Sequence, residues 1–142
     1  MAIAGQIEQT ETALAKSKSV AARAVLRRLA AARKAFLDVV GFIAAGSKTS
    51  PNAIFAGSVP YLMLAGNLVA GWQLARSLLV AEDLIEKSRG ATSGAGEHLP
   101  FLQAKIATAQ FYAEHILART PGLRDSIVDG ADSVTAMAVE SF

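Results

Sequence analysis

Cysteine is absent from the 142 residues. That excludes disulfides, thiolate metal sites and a cysteine nucleophile, and it fits a reducing, cytoplasmic setting. Histidine occurs twice, at His98 and His115, and no HExxH or Glu-x-x-His pair exists. Glu114 and His115 are adjacent, so on a helix they diverge, and no metal centre is expected. Aromatic residues make up only 6% of the chain and do not interleave with its basic residues, so no nucleic-acid partner is expected. GxSxG, GxxxxGK[ST] and GxGxxG are all missing. Gly94 and Gly96 fall in a stretch that follows a helix rather than a strand, so it reads as a loop and not a phosphate cradle.

An unbroken hydrophobic run is also lacking. Residues 49–75 carry no charge, but Pro51, Pro60, Asn52, Asn67 and Gln73 interrupt them, with three glycines. The strongest apolar run, residues 59–68, is half of the ~20 residues a membrane span needs. The stretch reads as a central helix buried on most sides. Glu8 and Glu11 make the N-terminus unlike a signal or transit peptide.

Alanine, by contrast, is abundant, with 29 copies in a chain that is 52% hydrophobic. Alanine is the best helix former and a poor strand residue, so the expected class is all-α. Charge is uneven. Residues 1–48 hold eight Lys/Arg against three Asp/Glu, a local +5, and residues 49–142 hold six against nine, a local −3. The basic half reads as a solvated helix face.

Periodicity places the helices. Val25, Leu29, Ala32, Phe36, Val39, Val40 and Ile43 form one face of a long first helix, with Arg23, Arg27, Lys34 and Asp38 opposite. Residues 1–15 read as a linker or an extension of that helix, with a break or polar patch at 17–19. Gly46 is a plausible stop. Ser50-Pro51 and Ser58-Val59-Pro60 are two start signals, of which the second is favoured, after a short turn. A second long helix follows over about 60–87, with Tyr61, Leu64, Leu68, Trp72, Ala75 and Leu79 in one stripe. Leu62, Val69 and Val80 add apolar surface elsewhere. Residues 88–97 read as a flexible loop. A third helix over about 100–119 buries Leu102, Ile106, Ala109, Ala113 and Ile116, and a short fourth opens at Thr120-Pro121 and closes at Gly130. The expectation is a single helical domain over 1–142, an antiparallel four-helix bundle with two long and two shorter helices.

No catalytic constellation emerges. Glu82, Asp83 and Glu86 sit on a solvated helix end. Arg76 and Lys105 each follow a mostly apolar stretch. They either snorkel to a helix rim or anchor an interface or an anionic ligand.

Two stretches carry a resemblance. They are VPYLMLAG at 59–66, continuing through Gly71-Trp72 to Ala75-Arg76, and KIATAQFYAEHIL at 105–117. Gly130-Ala131-Asp132-Ser133 and the closing Phe142 add a weaker echo. Together they resemble the C-terminal helical domain of long acyl-CoA dehydrogenases of the 3-methylmercaptopropionyl-CoA dehydrogenase-like type. The resemblance implies a parent enzyme with FAD, in which a glutamate takes the α-proton of an acyl-CoA and hydride passes to the flavin. Electrons then leave to an electron-transfer flavoprotein. The catalytic glutamate and flavin segments belong to domains outside this match, and none of Glu82, Glu86, Glu97 or Glu114 corresponds to them. The implied role is structural, against the catalytic core of the same or another chain and at homo-oligomer contacts, with no cofactor held here. Tyr61, Trp72, Phe111 and Tyr112 are then expected to pack the bundle, and Arg76 and Lys105 to brace a polar contact. The alternatives are a stand-alone helical adaptor and a peripheral module on a membrane surface.

Overall fold

The computed structural model describes residues 2–89, 98–137 and 140. Residues 90–97 of the loop expected at 88–97, and the closing Phe142, lie outside the described residues. Six α-helices follow one another: α1 (Ala2–Lys16), α2 (Val20–Gly46), α3 (Pro51–Ala56), α4 (Ser58–Arg89), α5 (Leu99–His115) and α6 (Thr120–Val128). There is no strand among the described residues. The class is all-α as expected, with α1, α2, α4 and α5 as the main packed helices and α6 against α2 and α4.

The helix count exceeds four for two local reasons. Ser19 stands extended at φ −70°, ψ 150°, and its hydroxyl accepts from the Ala22 N–H at 2.9 Å. That cap starts α2 afresh and separates it from α1. Residues 2–16 are therefore neither linker nor extension. They form a packed helix with Ile7 and Leu14 fully buried. Both proline signals also operate: Pro51 starts α3, and Gly57 ends it one residue before α4. A Cβ at Gly57 would lie 2.9 Å from Ile127 Cγ2, so α6 needs a glycine there to approach.

Other boundaries differ by a turn. α4 runs on through Ser88 and Arg89, which the loop reading had claimed. α5 ends at His115, and a 3-10 turn over Leu117–Arg119 leads into α6.

The core lies where the helices converge. Ile7, Leu14, Val25, Leu29, Leu68, Leu78 and Leu117 are its large members, joined by Ala22, Ala32, Ala75, Ala109 and Ala113. Burying each Leu or Ile contributes roughly 2 kcal/mol of transfer free energy. The alanines do different work, since small side chains at helix contacts bring backbones close. A second cluster, Ala35, Val39, Leu64 and Ile127, fastens α6 to α2 and α4.

Candidate functional site

α4 is one helix of 32 residues with two apolar faces. The inner face buries Leu64, Leu68, Gly71, Ala75, Leu78 and Ala81. The outer face does not behave as the sequence suggested. Leu62, Val69 and Val80 were expected to make the helix central, yet all three face solvent. Phe55, Val59, Leu62 and Met63 are 55–73% exposed, and α5 adds Phe101 and Phe111 at 60% each. Scattered exposed leucines are ordinary, but a run of large apolar residues along one helix marks an interaction surface.

Farther along, α4 and α5 enclose a groove of about 390 Å3. Val80, Leu84, Phe101 and Leu102 give it apolar walls, and Arg76 and Lys105 supply two cations. The Arg76 guanidinium lies 5.6 Å from the Trp72 ring centroid and donates to Gln73 Oε1 at 3.0 Å. Lys105 Nζ lies 5.0 Å from the Phe101 ring centroid. Among the described residues neither cation has a carboxylate within ion-pair distance.

The aromatic expectations divide. Tyr61 stacks on Phe36 at 5.9 Å, tying α4 to α2. Trp72 packs against the core, and its Nε1 donates to Thr10 Oγ1 at 2.8 Å. Tyr112 also packs against the core, and burial pushes its phenol above the ordinary value. Phe111 does not pack the bundle. It stands on the solvent side of α5, its ring 4.4 Å from that of His115. The reason is helical phase: Ala109 and Ala113 take the inner positions of α5, and Phe111 falls between them on the opposite side. Trp72→Phe should cost about 1 kcal/mol by removing the tie to Thr10. A shift of the urea midpoint at constant slope reads this, and an unchanged midpoint would show the tie to be idle.

Three polar ties hold α1, and the sequence reading missed them. Arg33 donates to both Glu11 oxygens at 2.8 Å. Trp72 reaches Thr10, and Ser17 donates to Glu82 Oε2 at 2.8 Å. One signal was available: Glu11 lies four residues after Ile7 and three before Leu14, on the apolar stripe. An acid in that register needs a buried partner.

No reactive arrangement appears among the described residues. There is no group of three His, Asp or Glu suited to a metal. No described helix is long and apolar enough to cross a membrane. The described surface is apolar along the outer face of α4 and cationic in the groove.

The family model described as acetyl-CoA dehydrogenase C-terminal like matches residues 3–138. A 3-methylmercaptopropionyl-CoA dehydrogenase of Ruegeria pomeroyi is 41% identical over 131 residues, which is 92% of this chain and 21% of that protein. A broad-specificity linear acyl-CoA dehydrogenase of Mycobacterium tuberculosis, FadE5, is 34% identical over 103 residues, 66% of this chain and 16% of that protein. The chain thus spans about a fifth or less of the curated relatives it matches.

Proposed function

From the premise that this chain belongs to the acetyl-CoA dehydrogenase C-terminal-like family, we propose that it is the accessory helical domain of an FAD-dependent acyl-CoA dehydrogenase, working in the cytoplasm. Its task is to cover and brace the catalytic core and to support oligomer contacts. The flavin and the proton-abstracting carboxylate belong to that core, and the residues of this chain supply no step of the oxidation.

The observation that carries this reading is the outward apolar face of α3 and α4. Phe55, Val59, Leu62 and Met63 each leave more than half of their surface uncovered by the described chain. At about 25 cal/mol per Å2, covering such a face drives association. A partner domain in the same polypeptide supplies the cover at high effective concentration.

The test has two stages. The coding sequence upstream is read for an in-frame dehydrogenase core, and the complete polypeptide is purified with and without residues 2–137. Removal should lower the core's Tm by several degrees and expose apolar surface to a hydrophobic dye. If no such core is encoded, and one supplied separately does not associate, the stand-alone adaptor takes its place.

A further inference from the structure

We propose that the groove between α4 and α5 seats an amphipathic helix of the dehydrogenase core, and that carboxylates on that helix meet Arg76 and Lys105. The proposal rests on the domain reading above and names where and with what chemistry the core engages it.

Three observations carry it. First, both walls of the groove are helices. It runs between two long helices, and its apolar lining comes from α4 at Val80 and Leu84 and from α5 at Phe101 and Leu102. A trough of this kind takes a third helix through side chains at i, i+3 or i+4, and i+7.

Second, its charge is of one sign. Residues 49–81 contain Arg76 and no other Asp, Glu, Lys or Arg, and residues 98–113 contain only Lys105. Among the described residues the groove's lining holds both cations and no acid. Each is held over an aromatic ring, at 5.6 Å for Arg76 and 5.0 Å for Lys105. Both head groups keep donors free. Complementary charge of this kind sets register and rejects wrong partners.

Third, the source of the acids is constrained. Two acids on the last turns of α4 are paired within that helix. Asp83 pairs with Lys87 at 2.6 Å and Glu86 with Arg89 at 3.5 Å. The chain covers only 21% of its relative from Ruegeria pomeroyi, so a much larger polypeptide surface is available to face it.

The experiment mixes this chain with the catalytic core of the enzyme and adds a zero-length carbodiimide, which joins an amine only to a touching carboxylate. Mass spectrometry should find Lys105 coupled to an Asp or Glu on an apolar-faced helix of the core. Lys105→Arg keeps the charge but cannot couple, so it should retain association and lose that link. Arg76→Glu with Lys105→Glu should weaken association at least tenfold, with helicity unchanged because both side chains are exposed. Lys34→Glu, on α2 and away from the groove, should leave association as it was.

A core that binds the double variant as tightly as the original chain, with Lys105 unlinked, would show that the groove is not the seat, while the domain reading stands. A link from Lys105 to an acid of a second copy would overturn the seat in favour of self-association. Failure of the original chain to bind the core, with Lys105 also unlinked when the two are joined in one polypeptide, would overturn the seat, and the absence of an encoded core would remove the domain reading as well.

Discussion

Arg33→Ala is expected to destabilise the bundle by about 3 kcal/mol, a fall in Tm of roughly 10 °C. The Glu11 carboxylate is only 10% exposed and Arg33 22%, and they meet through two parallel hydrogen bonds at 2.8 Å. Removing the guanidinium strands a largely buried carboxylate, and that penalty exceeds the net worth of the pair. Glu8, 3.9 Å away, is too exposed to change the outcome. The controlled comparison is the double change Arg33→Met with Glu11→Leu, which removes both charges and should recover most of the loss. A loss below about 1 kcal/mol for Arg33→Ala would mean that Glu11 reaches water freely.

The pH dependence follows from sign. The hydrogen bonds Arg33 donates to Glu11, then the charges of Glu11 and Glu8, outweigh burial and hold the Arg33 guanidinium above its ordinary value. Its contribution is therefore complete at any pH below that ordinary value and is lost only as pH rises through the higher folded value. Stability between pH 6 and 9 should show no step attributable to Arg33.

The second large effect concerns Gly71 and Leu117. A Cβ on Gly71 would lie 2.7 Å from Leu117 Cδ1 and 2.8 Å from Cδ2, and Leu117 is 1% exposed. Gly71→Ala should cost about 2 kcal/mol, because the leucine must leave its seat in a filled core. Leu117→Ala should cost about 3 kcal/mol through the cavity it leaves. The two changes share one volume, so the double variant should cost clearly less than the sum, by at least 1 kcal/mol. Chemical denaturation of the four proteins closes the cycle. Strict additivity would show that the contact does not set the α4 approach.

The same pair shows what the sequence could and could not disclose. Regular spacing of strongly apolar residues identified Leu29, Val39, Leu64 and Leu68 correctly, because hydropathy and helical phase agree there. Gly71, four residues before Ala75, was legible as a small position that lets another helix approach, while Ala81 was passed over as an inner position. Hydropathy registers what a residue removes from water, not what its smallness lets another helix do. Leu62 and Val80 failed in the opposite direction. Periodicity reports the angle at which an apolar side chain leaves a helix, and it is blind to whether a partner at that angle belongs to the same chain. Arg76 and Lys105 were legible as cations after apolar stretches. Their presence in one groove was not, since 28 positions of sequence separate them and only the packing of α5 on α4 joins them. The ion pairs within helices, Lys34 with Asp38 and Lys87 with Asp83, were readable from spacing alone. The pair between α1 and α2 needed the fold.

The hydrogen bond from the indole to Thr10 gives this chain a built-in reporter. Trp72 is its only tryptophan, so every photon excited selectively in the indole comes from the junction of α4 with α1. If α1 lifts off, the ring loses its hydroxyl partner and meets bulk water, and its emission moves to longer wavelength. Helicity by circular dichroism follows the remaining helices independently. A red shift that precedes the loss of helicity during titration with denaturant would identify α1 as the first segment to leave, and coincident curves would make the helices one cooperative unit.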